Sequence, residues 1–352
     1  MNAAVMDAFG GPAVLTFRSV REPEPGPGDV LVEVRAVSVN RTLDCAVRAG
    51  RYHVRPPLPH VLGNDPAGIV AAVGRDVANV AVGERVTVRG QLGPCGRCAA
   101  CLGRKPTECS SVGILGVTVW GGYADYVSVP ARNVNAIPAR VSIADACVIN
   151  RHHSAAFHFL QGLAQLQGGE WVLVMGAAGA LGSALVQVAK LTGATVIAAA
   201  GTDERVASCL ANGADFGVNY RARDLAAEVL RITDGRGVDV VAENIGDPVL
   251  WKGAFFSLAR DGRLVTGGAH GGGIVEIDVS RLYAYRLRIL GGTSGGPEYA
   301  ERARKAAEAG QIHAIIGRVL PLAEAAEAHR IAEAQEVIGK VILAPKDDPR
   351  RE

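Results

Sequence analysis

Two groups of residues in this chain have types and spacings that do chemistry. The first is Cys95, Cys98, Cys101 and Cys109, spaced C-x2-C-x2-C-x7-C. Soft thiolates presented by one tight loop suit a tetrahedral Zn²⁺, and four protein ligands close its coordination sphere, which marks a structural site. Redox exchange of the C-x-x-C type is the rival use, but no thioredoxin-like pattern surrounds the loop. Cys45, Cys147 and Cys209 stand alone and read as small buried hydrophobes.

The second group is the glycine turn in WVLVMGAAGALGSALVQVAKL, residues 171–191. Trp171 to Met175 is an apolar run of the kind found in strands buried on both faces. Gly176, Gly179 and Gly182 follow at intervals of three, and from Ala180 the apolar residues Leu181, Leu185, Val188 and Leu191 take helical spacing. Strand, glycine turn and helix N-terminus make a phosphate cradle, because the backbone can approach a pyrophosphate and the helix dipole favours its charge. The dinucleotide pattern G-x-G-x-x-G is met with Ala177 in the first position and Gly179 and Gly182 in the others. A membrane span is the bland alternative for this stretch. Its Gly and Ala content, Gln187 and Lys190 argue against it.

The elements that position these groups divide into two patterns. Short alternating runs fill the N-terminal part: Val30–Val39, Gly68–Val73, Glu84–Val88 and more between residues 120 and 137, with a few helical residues near Thr42–Arg48. A mostly helical stretch, Ile143–Ala164, leads into the cradle. Beyond it, strands at Thr195–Ala200, Val238–Glu243, Arg263–Thr266 and Arg288–Gly291 alternate with helices at Asp203–Asn212, Asp224–Thr233, Pro248–Ala259 and Tyr299–Ala309. That rhythm predicts a parallel, doubly wound α/β sheet beside a β-rich lobe. Residues from Ile312 to Leu343 return to strand–helix–strand. The expected division is 1–149, 150–309 and 310–352, the last part rejoining the first.

Composition bounds the function. With 37 Lys and Arg against 35 Asp and Glu, the net charge is +2, and no basic run points to nucleic acid or an anionic membrane. The opening MNAAVMDAFG lacks a basic and apolar leader, and seven cysteines with four clustered suit a metal site in a reducing compartment, so a cytoplasmic location is expected.

The nucleotide can be narrowed further. NAD-binding units place an acid about 20 residues beyond the glycines to hold the ribose 2′-OH. Ala200 and Gly201 occupy that place here. Asp203 and Glu204 come later, in a helix's first turn, where they complement the dipole. Arg205 with Tyr220 and Arg221 suits a 2′-phosphate, although solvated surface charge is the alternative for both arginines. NADPH is the expected cofactor.

Taken together, the opening lobe, the four-cysteine loop, the GAAGALG turn and the closing GKVIL resemble the medium-chain dehydrogenase/reductase superfamily over essentially the whole chain. The resemblance implies a GroES-like β-rich catalytic domain and a Rossmann domain. It also implies cofactor contacts from Gly176, Ala178, Gly179, Ala180, Leu181, Gly201, Thr202, Arg205 and Tyr220. Asn244 and Gly267 would flank the nicotinamide, and Lys340 would reach a phosphate.

Zinc alcohol dehydrogenases of that superfamily hold a second, catalytic zinc at three stations. The corresponding residues here are Asn40 in Asn40-Arg41-Thr42-Leu43, Asn64 in Gly63-Asn64-Asp65, and Arg151. Neutral amides are poor zinc ligands and a guanidinium repels the ion. A makeshift site from His53, His60, His152 or His153 is the alternative. Without a Lewis acid, hydride transfer is easier onto an alkene already conjugated to a carbonyl. The stretch VNRTLDCAVRAGRY resembles zinc-free quinone oxidoreductases and enoyl thioester reductases, which implies catalytic roles for Asn40, Asn64 and Tyr52. Tyr52 would donate a proton or hydrogen-bond a developing enolate.

The expected activity is NADPH-dependent reduction of an enone, quinone or enoyl thioester. A zinc-free carbonyl or imine reductase and a non-catalytic NADPH-binding protein are the alternatives. The expected partners are a small-molecule substrate and a second copy of the chain, paired through the last Rossmann strand with Leu287, Ile289 and Leu290, whose open edge invites association.

Overall fold

The structure is a computed structural model and describes residues 1–96, 98–105, 108–109, 112–293 and 295–345. The chain forms two units: Met1–Asn150 with Ile316–Glu352, and Arg151–Ile315.

In the first unit the alternating apolar runs form strands β1 (Asn2–Met6), β2 (Leu15–Ser19), β3 (Asp29–Ser38), β4 (His60–Val61), β5 (Pro66–Val73), β6 (Arg85–Val88), β7 (Gln91–Leu92), β8 (Gly113–Ile114), β9 (Tyr126–Pro130) and β10 (Val134–Ala136). Helix α1 (Asp44–Arg48) follows the end of β3, and α2 (Ala99–Leu102) lies in the cysteine loop. Helix α3 (Ile143–Phe157) continues into a π-helical turn, His158–Leu163.

The second unit alternates strictly, as β11 (Trp171–Met175), α4 (Ala180–Thr192), β12 (Thr195–Ala200), α5 (Asp203–Ala211), β13 (Phe216–Asn219), α6 (Leu225–Ile232), β14 (Val238–Glu243), α7 (Pro248–Phe256), β15 (Leu258–Thr266), α8 (Val279–Ala284), β16 (Arg288–Gly291) and α9 (Pro297–Glu308). The chain then returns to the first unit as β17 (Ile316–Pro321), α10 (Ala325–Ala334) and β18 (Lys340–Ala344).

The second unit's sheet has the order β13-β12-β11-β14-β15-β16, and every pairing in it is parallel. Numbered from β11 this is 3-2-1-4-5-6, the Rossmann order. Its switch point lies between β11 and β14, where a crevice opens beyond the strands' carboxyl ends. Both central strands are apolar because helices cover both faces: Leu173, Met175 and Val241 are fully buried with Trp251 and Phe255. The first unit is a GroES-like β domain. Its main sheet runs β10-β6-β5-β3-β18-β17, with β9 also on β3, around a core that includes Val32, Val34, Val70, Val86 and Leu343. The pairing of β18 with β3 (Ile342 opposite Ser38) brings the last strand beside the start of the segment that carries Asn40.

Four elements differ most from the sequence reading, one of them β15, which begins at Leu258 rather than Arg263. The helix starting at Pro248 stops at Phe256 rather than Ala259, because Leu258 is drawn into β15 opposite Val238. Strand β13 and helix α8 were not foreseen. Each is short and partly exposed, and α8 rests on a cap in which the Asp278 carboxylate accepts from the Arg281 N–H at 2.9 Å.

Candidate active site

The cradle takes shape at the carboxyl end of β11. Gly176 has φ +58, a backbone that favours glycine, and a Cβ there would stand 3.1 Å from Asn244 Oδ1. Gly179 is the N-cap of α4. The Gly179 N–H donates to the Gly176 carbonyl at 2.9 Å, so the open N–H groups of the first turn are those of residues 180–182, the phosphate-binding arrangement of a helix N-terminus. Asn244 is buried and its Nδ2 donates to the Met175 carbonyl at 2.7 Å, tying the end of β14 to the end of β11 across the switch point.

Glu243 holds the same corner from beneath. Its carboxylate accepts from the N–H of Ile245 (2.8 Å), the N–H of Gly246 (3.0 Å) and the Thr266 hydroxyl (3.2 Å). Burial pushes this carboxyl above the usual carboxylate range, while those donors pull it back. Gly246, Thr266, Gly267 and Gly268 then line a cavity of about 600 Å³ with His158 and Trp251. Backbone lines much of this wall, as suits a flat ring.

At the carboxyl end of β12, Thr202 caps α5 by accepting from the Arg205 N–H at 3.3 Å. A Cβ on Gly201 would stand 3.2 Å from Tyr220 Oη and 3.3 Å from Arg221 Nε, so these side chains gather at the expected adenosine-ribose position. The nearest acid, Asp203, accepts from Asn219 Nδ2 at 2.8 Å.

In the first unit a buried polar cluster surrounds Asn40. The Asn40 Oδ1 accepts from Lys340 Nζ at 2.6 Å, and its Nδ2 donates to Asp65 Oδ2 at 3.2 Å. Ser38 Oγ donates to the same Asp65 oxygen at 2.7 Å, and Lys340 also donates to the Val39 carbonyl at 2.9 Å. Asp44 Oδ2 accepts from the Asn40 backbone N–H at 2.8 Å. Lys340, expected at a phosphate, thus has its ammonium on Asn40. The contacts of Ser38, Asp65 and Asp44 went unread in the sequence. The available signal was three polar residues flanking an apolar strand end, which burial can tolerate only if they bond one another.

Asn64 donates from Nδ2 to the Leu115 carbonyl at 2.8 Å, and a Cβ on Gly90 would stand 2.3 Å from that nitrogen. That bond ties its amide to the backbone. Tyr52 is half-buried against the first unit's core, with its ring 4.2 Å from that of His53. Arg151 belongs to α3.

Behind Asn40 lies a second cluster. His329 is fully buried, with Nδ1 3.3 Å from Arg48 Nη1 and Nε2 3.1 Å from Tyr123 Oη. Arginine only donates, so Nδ1 accepts and Nε2 carries the proton. Burial, with the Arg48 charge beside it, pushes the imidazole down to about 3. Arg48 continues to Glu333 at 2.8 Å.

The four clustered cysteines have their sulfurs within 4.8 Å of one another. Cys98 and Cys101 Sγ are 3.5 Å apart, and Cys95 and Cys101 Sγ 3.9 Å. A tetrahedral Zn²⁺ with bonds of about 2.3 Å sets sulfurs about 3.8 Å apart, so the cluster fits the ion. Backbone N–H groups of Cys95, Gly96 and Cys98 each donate to a cluster sulfur at 3.3 Å, which favours thiolate. Among the described residues this is the one group of His, Cys, Asp or Glu side chains suited to a metal, and His53, His60, His152 and His153 do not form another.

A Rossmann sheet with this cradle, joined to a GroES-like β domain, defines an NAD(P)-dependent oxidoreductase. Residues 26–139 match the family described as alcohol dehydrogenase GroES-like domain, and residues 180–309 match zinc-binding dehydrogenase. The chain is 31% identical over 349 residues to an NAD-dependent alcohol dehydrogenase of Sulfolobus acidocaldarius, covering 97% of this chain and 99% of that one. It is 29% identical to a quinone oxidoreductase of Homo sapiens (97% of each) and to a 2-haloacrylate reductase of a Burkholderia species (98% and 99%). A crystal structure of an NAD-dependent alcohol dehydrogenase superposes with a TM-score of 0.90 at 37% identity, covering 98% of this chain and 100% of that one. The chain belongs to the medium-chain dehydrogenase/reductase superfamily. No helix among the described residues is long and apolar enough to cross a membrane.

Proposed function

We propose that this enzyme reduces a carbon–carbon double bond conjugated to a carbonyl, as in an enone, quinone or enoyl thioester, and that NADPH is its reductant. The observation that carries this reading is the state of Asn40. At the first station of a catalytic zinc the chain has an amide already bonded to Lys340 and Asp65. Asn64, at the second, bonds the backbone, and Arg151 stands at the third. None of these supplies a lone pair suited to zinc. The likeness to proteins named quinone oxidoreductase and 2-haloacrylate reductase supports the same chemistry.

When bound, NADPH supplies the hydride that adds to the β-carbon, and the electron pair of the double bond moves toward the carbonyl oxygen. The α-carbon then takes a proton, for which the Tyr52 hydroxyl is the candidate donor. The turn at residues 178–181 would hold the pyrophosphate, and Arg205, Tyr220 and Arg221 the 2′-phosphate. The four cysteines would hold one structural zinc, remote in role from the chemistry.

Strand β16 ends the Rossmann sheet, paired with β15 alone among the described residues. A dimer joined along this edge follows from the same reading. Sedimentation showing a monomer at micromolar concentration would remove it.

The test of the activity is turnover of conjugated enones after treatment with a chelator that leaves the structural zinc in place. Activity should survive. Robust oxidation of simple alcohols, abolished by the same treatment, would contradict the proposal. Tyr52→Phe should lower kcat with little change in KM if the hydroxyl delivers the proton.

A further inference from the structure

The bonds around Asn40 leave an electrophile. An amide nitrogen carries two hydrogens. One of those on Asn40 goes to Asp65 Oδ2, and the other has no partner among the described residues, although Asn40 is only 3% exposed. The amide oxygen meanwhile accepts from the buried Lys340 ammonium at 2.6 Å, shorter than the 2.9 Å from the same ammonium to the Val39 carbonyl. A cation on the oxygen draws charge across the amide and makes its N–H a stronger donor, an effect that exclusion of water strengthens. The orientation is also unambiguous. With Lys340 on one side and a carboxylate on the other, the amide oxygen faces the cation and the nitrogen faces Asp65.

We infer that the Lys340–Asn40 pair supplies the electrophilic assistance a Lewis acid would otherwise give. The free N–H of Asn40 donates to the substrate's carbonyl oxygen, and Lys340 polarises and orients that donor. Asn40 is then a catalytic residue and Lys340 a positioning residue. The ligand class is a small molecule with a conjugated carbonyl, whose oxygen gains negative charge as hydride reaches the β-carbon. No proton leaves Asn40, which only donates a hydrogen bond. This inference rests on the function proposed above.

The test has two arms. In the first, cinnamaldehyde is bound to the zinc-loaded enzyme with NADP⁺, so that no turnover occurs, and its carbonyl stretch is read by difference Raman spectroscopy. Unmodified protein should lower the stretch relative to cinnamaldehyde in water, and Asn40→Ala should return it. The same frequency bound and free would overturn the inference, and this reading needs no variant to fold.

In the second arm, kcat and NADPH affinity are measured together. Asn40→Ala should lower kcat about 100-fold, the effect of losing one oxyanion donor. Lys340→Met should lower it about tenfold through misorientation, with the NADPH Kd changed less than about twofold. A weakened NADPH Kd with kcat untouched would mean that Lys340 serves the cofactor instead. The Raman shift is indifferent to whether hydride goes to the alkene or the carbonyl, so it can succeed or fail independently of the proposed reaction.

Discussion

Gly182 packs so closely on Gly176 that a Cβ on Gly182 would stand 2.2 Å from the Gly176 carbonyl oxygen. The atom in the way is backbone at the mouth of the cradle, so it cannot swing aside as a side-chain tip would. Gly182→Ala should therefore push α4 off β11. The expected cost is about 1–3 kcal/mol in urea unfolding, the usual range for overpacking, together with weaker NADPH binding. Gly179→Ala, whose Cβ would clear the same oxygen at 3.2 Å, should cost less. Equal losses for the two would mean that close helix–strand approach is not what the third glycine provides.

The four-cysteine cluster predicts about one zinc per chain by metal analysis. Cys98→Ser should lower zinc content and Tm together, the latter by about 5 °C or more. Turnover per folded molecule should remain. Finding two zinc ions per chain, or none after gentle purification, contradicts the assignment.

Nucleotide preference should follow Arg205. Arg205→Ala is expected to weaken NADPH binding about tenfold, the loss of a charge-assisted contact, and to leave NADH nearly unchanged. Isothermal titration with both cofactors checks this. Parallel losses would show that the guanidinium does not read the 2′-phosphate.

Acid should destabilise the fold through its buried imidazoles. Burial, with the Arg48 charge, pushes His329 in the folded chain from the ordinary 6.5 down to about 3, and burial likewise pushes His153 down to about 4. Between pH 6.5 and 3 the unfolded state binds more protons, so stability falls as pH falls through that window. Urea midpoints measured across it should decline, and His329→Gln should make the decline shallower. An unchanged slope would mean that His329 is not a source of the pH dependence.

Much of this molecule is legible in its sequence. Trp171–Met175 and Thr195–Ala200 read as strands and are strands, because runs buried on both faces leave an almost unmixed apolar signal. The cysteine spacing likewise announces its cluster, since the ligands are local. The bond between Lys340 and Asn40 had no such signal. It spans 300 positions and exists only because β18 pairs with β3, so a lysine in an apolar closing strand offers no clue to its partner. Phe216–Asn219 was missed for a different reason: four residues with an exposed phenylalanine and a glycine carry too little periodicity to mark a strand.

The central claim is where the hydride goes. NADPH deuterated at the transferred position, 2-cyclohexenone and the enzyme should be incubated together and the product read by NMR. The account predicts a saturated ketone with deuterium on the β-carbon. An allylic alcohol with deuterium on the former carbonyl carbon would contradict it.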